Sequence, residues 1–149
     1  MKRFLKIIVL LSIVFGLSFF MMVTTRSVRA SEIVISEIMY NPVGSTDDTD
    51  ADEFEFIELY NPGSSAVDLS GTSFTDGITF VFPDGSGLGP EERLVIVRNR
   101  EAFQTRYPSV TNVAEGVYEG KLNNGGEQVR LIDADGDKLI SFEYMDRYD

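Results

Sequence analysis

The chain has 149 residues, and 24 acidic against 13 basic side chains give it a formal net charge of −11. Such an acidic surface repels phosphate backbones, so direct binding of DNA or RNA is not expected, whereas multivalent cations or a basic partner would fit. The sequence has no cysteine and no histidine, which excludes a disulfide framework, Ser-His-Asp and Cys-His catalysis, and histidine-based zinc sites.

Residues 1–30 have the pattern of a secretory signal peptide. Three basic residues in the first six positions precede the apolar run 7–23, and the small residues Val28 and Ala30 suit cleavage after Ala30. An uncleaved membrane anchor is the alternative, because the run reaches the lower limit of about 17–25 residues for a membrane-spanning helix. In both cases we expect residues 31–149 to be exported, secreted or held at the cell surface, with membrane contact only through an uncleaved leader.

The exported part begins with two predicted strands and an acidic loop between them. Ile33–Tyr40 is rich in β-branched and apolar residues, which favours a strand. Residues 44–53 are polar and acidic without periodicity, and they predict a loop. The second strand, Phe54–Tyr60, alternates so that Ile57 and Leu59 share the face that we expect to contact the core.

The middle of the chain predicts short strands joined by tight turns. Asn61-Pro62-Gly63 predicts a turn, and Val67–Leu69 predicts a short strand. Asp76-Gly77 is a strong turn signal between two further strands. Arg93–Arg98 is continuously apolar between its charged ends, which predicts a central strand covered on both faces.

One short helix and a final hairpin complete the pattern. Asn99 is a suitable cap for a helix over residues 100–107, in which Phe103 would face the core. Residues 128–144 predict two strands joined by a turn that contains Gly136. Many short strands, close turn signals and a single helix indicate an antiparallel β-sandwich.

Several stretches are informative through their order and spacing. They are Ile33–Pro42, Phe54–Gly71, Phe80–Gly85 with Leu88–Pro90, Leu94–Asn99, and Leu122-Asn123 with Gly126–Leu131. Together they resemble the lamin-tail domain, the immunoglobulin-like module of nuclear lamin tails, and the chain looks like a bacterial exported member. The resemblance covers nearly all of residues 32–145. It implies that residues 31–149 form an all-β fold, an immunoglobulin-like antiparallel β-sandwich with one short helix, preceded by the signal peptide.

The resemblance implies no active site, so we expect a non-catalytic exported module that binds or scaffolds a protein or cell-envelope component. In bacteria such domains are commonly attached to exported hydrolases, nucleases or spore-coat-type kinase domains. Many members also continue past the last hairpin, whereas this sequence stops at Asp149. An accessory targeting domain of a larger exported enzyme, truncated here, is therefore the alternative, and an in-frame catalytic domain beyond Asp149 would distinguish the two.

Two acidic segments are candidate calcium sites, which would make the chain a calcium-dependent surface-binding module. The first comprises Asp47, Asp48, Asp50, Asp52 and Glu53 in the loop, and the second comprises Asp133, Asp135 and Asp137 in the last turn. An EF-hand is excluded, because Lys138 takes the sixth position, where that loop has glycine. Solvated loops are the alternative interpretation of both segments, and no other cofactor is predicted.

One face of the second strand is a candidate binding surface formed by Phe56, Glu58 and Tyr60. The aromatic members would form an exposed strip for a sugar or a protein together with Phe54, Phe80 and Phe82. Packing of these rings in the core is the alternative. Glu37 and Glu58 invite comparison with a glycosidase carboxylate pair, but we expect both to face solvent or to bond backbone amides, without catalysis.

Overall fold

The computed structural model describes residues 33–44 and 50–146. The predicted leader and the loop residues Asp47 and Asp48 lie outside that range. The strands are β1 (Val34–Met39), β2 (Phe56–Tyr60), β3 (Val67–Asp68), β4 (Ser73–Asp76), β5 (Ile78–Val81), β6 (Gly87–Leu88), β7 (Arg93–Val97), β8 (Glu119–Gly120), β9 (Gly126–Ile132) and β10 (Lys138–Met145). Helix α1 spans Arg100–Arg106, and a 3₁₀ turn spans Ala51–Phe54. No helix in this part of the chain is long and apolar enough to cross a membrane.

Two antiparallel sheets form the body of the fold. The smaller sheet has the strand order β1-β2-β7, the larger sheet has the order β10-β9-β4-β5-β8, and β3 pairs separately with β6. These pairings and α1 confirm the predicted antiparallel, mostly β architecture with one short helix, and they are consistent with an immunoglobulin-like sandwich. The two-residue strands β6 and β8 have no counterpart in the sequence pattern, because two residues are too few to show a period.

The main core lies between the two sheets. Ile57 and Leu59 of β2 are both 0% exposed, which confirms the face predicted from their alternation. They share one cluster with Phe74 of β4 and Leu131 of β9, so this cluster joins the smaller sheet to the larger one. Because the chain has no cysteine, burial of this kind must hold the sheets together without a covalent cross-link.

Strand β7 is covered on both faces as predicted, but it is not a central strand. Leu94 and Ile96 belong to the main core, whereas Val95 and Val97 belong to a second cluster on the opposite face. The sheet ends at β7, whose outer edge is instead bonded by an irregular segment. Val95 N donates to Asn112 O at 3.0 Å, and the bridge from Val95 to Val113 is parallel. An apolar run therefore indicates covered faces, but it does not reveal the number of neighbouring strands.

Helix α1 has the predicted cap and covers the second cluster. The side-chain oxygen of Asn99 accepts hydrogen bonds from the amides of Glu101 and Ala102, at 3.0 and 3.1 Å. Phe103 is buried and packs edge-on against Phe56, with 5.4 Å between ring centroids. The helix thus lies over the start of β2, on the side of the smaller sheet that faces away from the main core.

The two predicted glycine turns are confirmed. Gly77 has a φ of +83° in the tight connection between β4 and β5, and Gly136 has a φ of +88° in the turn between β9 and β10. Both angles lie in the left-handed region, where a Cβ atom would be strained. These turns determine the registers that bring Phe74 opposite Phe80 and Val129 opposite Phe142.

Candidate functional site

The predicted surface on β2 is divided between a buried end and a partly exposed end. Phe56 is only 5% exposed, because α1 covers it, so its prediction as a surface residue is wrong. Farther along the strand, Glu58 and Tyr60 are half-buried beneath Arg93. The Arg93 guanidinium pairs with the Glu58 carboxylate, with Nε 3.1 Å from Oε1, and stacks 4.4 Å from the Tyr60 ring centroid.

Of the two strand glutamates compared above with a glycosidase pair, Glu58 is held by structural contacts and Glu37 is exposed. Glu37 and Glu58 face each other in the register of β1 and β2. The hydroxyl of Ser36 donates to Glu58 Oε1 at 2.6 Å, on the same oxygen that contacts Arg93. Glu58 therefore links β1, β2 and β7 across the outer face of the smaller sheet.

The aromatic strip does not form. Phe54, Phe80 and Phe82 are all buried, which confirms the alternative of core packing for these three rings. Phe80 and Phe82 contact each other edge-on in the main core, at 4.9 Å between centroids. Phe54 lies beneath the guanidinium of Arg106, whose Cζ atom is 3.4 Å from the ring centroid.

The described acidic-loop residues are held by basic side chains and by backbone. Asp50 caps the 3₁₀ turn by accepting from the Asp52 amide at 3.2 Å. Lys121 Nζ donates to Asp52 Oδ2 at 2.9 Å, and this hydrogen bond lowers the pKa of the Asp52 carboxyl. Glu53 lies 3.5 Å from Arg98 Nη2 and accepts a hydrogen bond from Asn99.

The acidic turn between β9 and β10 is shaped by its first aspartate. Asp133 Oδ1 accepts from the amides of Asp135 and Asp137, at 3.0 and 2.8 Å. In residues 33–44 and 50–146, no group of three or more acidic side chains is arranged to hold a metal ion. Asp47 and Asp48 lie outside these ranges, so calcium binding at the acidic loop stays a prediction.

A buried carboxylate outside every predicted site lies beside the acidic loop. The side chain of Glu55 is 0% exposed. Its Oε2 atom accepts from the Tyr118 hydroxyl at 3.0 Å and from the Leu122 amide at 2.9 Å. Its Oε1 atom has no hydrogen-bond partner among the described residues. A signal for this position was present, because Glu55 has the same alternation as Ile57 and Leu59.

The electrostatics of Glu55 are those of a structural anchor. Burial raises the pKa of the Glu55 carboxyl, whereas the hydrogen bonds from Leu122 and Tyr118 act in the opposite direction. Burial and the nearby Glu55 carboxylate raise the pKa of Tyr118, which therefore remains a hydroxyl donor. Through these hydrogen bonds, Glu55 ties residues 118–122 to the start of β2. Because its side chain is inaccessible to solvent, it does not meet a ligand in this conformation.

Asn61, in the predicted turn after β2, is a second buried polar anchor. Its side chain is 0% exposed, and its Nδ2 atom donates to the carbonyls of Ser65, Leu88 and Gly89 at 2.8–3.0 Å. Its Oδ1 atom accepts from the Gly63 amide at 2.9 Å. The turn after β2 is thereby joined to the end of β6.

One comparison with known proteins identifies a family for this architecture. A comparison with curated proteins gives no match. The family model of the lamin tail domain matches residues 27–146, which include every strand and helix described above. Because this match covers well over half of the sequence, the chain belongs to the lamin tail domain family.

Proposed function

We propose that this chain is a non-catalytic module that binds or scaffolds a protein or cell-envelope component outside the cytoplasm. The observation that carries the proposal is the lamin tail domain match over residues 27–146. A β-sandwich of this kind offers loops and sheet edges as binding surfaces. The basic and then apolar pattern of residues 1–30 supports export.

The positions of the strongest acid–base candidates support a non-catalytic role. Glu55 is buried and bonded to Tyr118 and Leu122, so it has no open path to a substrate. Glu58 is paired with Arg93 and Ser36. The sequence also has neither histidine nor cysteine to act as a base or nucleophile.

Export predicts the fate of an epitope tag fused after Asp149. When intact cells express the tagged full chain, we expect added protease to digest the tag, or the tag to be found in the medium, as measured by immunoblot. Leu11→Arg interrupts the apolar run of the leader and should leave the tag protected inside the cells. A tag that is equally protected in both proteins would contradict export.

Binding is tested with cell-envelope fractions. We expect the purified chain to bind these fractions saturably, and protease treatment of the fractions to abolish binding if the partner is a protein. Loss of this binding when a calcium chelator is added would show that attachment depends on calcium. Hydrolysis of an envelope polymer by the wild type, lost in Glu58→Gln, would overturn the non-catalytic proposal.

A further inference from the structure

Two strands whose outer edges pair with no other described strand lie on one side of the sandwich. Within the described part of the chain, β1 pairs only with β2, and β10 pairs only with β9. Tyr40, directly after β1, contacts Tyr144 near the end of β10, with 4.8 Å between ring centroids. The two edge strands are therefore neighbours, although they belong to different sheets. The backbone groups of such an edge are a template for pairing with another chain.

An apolar groove separates these two strands. It has a volume of about 360 Å³ and is lined by Val34–Ile38 of β1 and by Ile140 and Phe142 of β10; we call it the β1–β10 groove. Most of its aliphatic and aromatic side chains rest on the main core and remain partly exposed, and Val34 is 44% exposed. An occupant that covers them would remove apolar surface from water.

The shape of the groove favours an extended peptide. A strand beside β1 would use the backbone groups of that edge, with which no other described strand pairs, and direct every second side chain into the groove. The register between β1 and β2 shifts between Ile35 and Glu37, so a bulge interrupts this edge. A guest can consequently pair only over a short stretch, and apolar contacts in the groove must supply the remaining affinity.

The charge of the chain favours a basic guest. Residues 1–30 hold five basic and no acidic side chains, so the remainder carries a net charge of −16. Glu37 on β1 and Glu143 on β10 are exposed, and β1 contains no basic residue, whereas β10 begins with the exposed Lys138. A second copy of the chain would bring the same negative charge to this edge, which disfavours self-pairing.

We propose that the β1–β10 groove binds an extended segment of another protein in which apolar and basic residues alternate, and that this segment pairs with the outer edge of β1. The inference rests on the proposed function and names its surface and the chemistry of its partner. The apolar side chains of the guest enter the groove, and its basic side chains lie on its other face, toward the acidic surroundings.

The probe is a capped eight-residue peptide of alternating lysine and valine, titrated into the chain as purified from the cells that express it. Fluorescence anisotropy should show saturable binding of this peptide, and none of a glutamate–valine peptide. A lysine–valine peptide with alternate backbone amides methylated keeps its charge and side chains but loses strand pairing, so we expect it not to bind.

Two substitutions on β1 test the location. Val34→Lys and Glu37→Lys each place a positive charge at an exposed position of this strand, and each should raise the Kd for the peptide by about tenfold or more. Val81→Lys and Glu119→Lys make the same changes at exposed positions of β5 and β8, away from the groove. These controls should change the Kd by less than about twofold. Unchanged thermal unfolding verifies that each variant folds.

Several results would overturn the inference. Equal weakening by the β1 variants and their controls would show general charge attraction, and sedimentation as a dimer that excludes the peptide would show a second copy in the groove. Saturable envelope binding that survives Val34→Lys and Glu37→Lys would refute the groove while leaving the proposed function intact. Peptide binding at β1 without any envelope binding would instead count against the proposed function.

Discussion

Glu55→Ala is expected to lower the free energy of unfolding by about 2–4 kcal/mol, because it leaves two buried donors without an acceptor at roughly 1–3 kcal/mol each. These donors are the Tyr118 hydroxyl and the Leu122 amide, which both bond to Glu55 Oε2. Removal of a buried, desolvated carboxylate offsets part of the cost. Urea unfolding of the full chain measures the difference. Glu143→Ala, at an exposed position on β10, is the control and should stay within about 0.5 kcal/mol.

Glu55→Gln separates the hydrogen bonds from the charge. The amide oxygen still accepts from Tyr118 and Leu122, so we expect a loss of at most about 1 kcal/mol at neutral pH. The pKa of Glu55 is raised by burial in the folded state. Its contribution to stability is therefore present below its unfolded pKa and is lost as the pH rises through the folded pKa. The wild type should gain stability relative to Glu55→Gln on acidification. A glutamine variant as unstable as the alanine variant would contradict this account.

The surroundings of Glu55 show what alternation in a sequence can predict. Ile57 and Leu59 are predicted to face the core from their spacing, and Glu55 has the same spacing. A carboxylate is nevertheless expected outside the core unless it has partners, and its partners lie 63 and 67 residues farther along the chain. These partners stand in or beside an irregular segment without a periodic pattern. Local sequence therefore gives the face of β2 but not the contacts that make a buried charge tolerable.

The outer face of β2 shows a second limit of predicting contacts from alternation in the sequence. Phe56 and Tyr60 share that face by alternation, yet only Phe56 lies beneath α1. The helix itself is predictable from its cap and its ending, but the part of the sheet that it covers depends on the connection after β7. A seven-residue helix covers only one end of the strand. The predicted surface is consequently divided into a core residue and a charged pair held by Arg93.

Asn61→Asp is expected to be strongly destabilising. It keeps the shape of the side chain but replaces the amide nitrogen by a carboxylate oxygen. The side-chain Nδ2 of Asn61 faces the carbonyls of Ser65, Leu88 and Gly89. A carboxylate there would replace a donor by an acceptor and place negative charge against carbonyl oxygens in a site without exposed surface. We expect a loss of about 4 kcal/mol or more at neutral pH, in the range produced by a buried unpaired charge.

Asn61→Ala should be less harmful than Asn61→Asp, although it removes every side-chain hydrogen bond, whereas aspartate removes only those that Nδ2 donates. It leaves several carbonyls and the Gly63 amide without their partner, at a total of about 2–4 kcal/mol after partial access of water. The neutral alanine adds no repulsion, so we expect Asn61→Asp to be the less stable of the two variants at neutral pH, although aspartate can still accept from the Gly63 amide. Ser64→Ala, at an exposed position in the same turn, should change stability by less than about 0.5 kcal/mol.

The pH dependence of the aspartate variant gives the sharpest test. A carboxyl surrounded by carbonyl oxygens has a folded pKa above its unfolded value, because only its protonated form can donate a hydrogen bond. The variant should therefore regain stability relative to the wild type as the pH falls, and the alanine variant should show no such recovery. Urea unfolding between pH 4 and pH 8 measures both series at about equal ionic strength. An aspartate variant that stays as stable as Asn61→Ala at every pH would show that the three carbonyls do not repel a negative charge at this position.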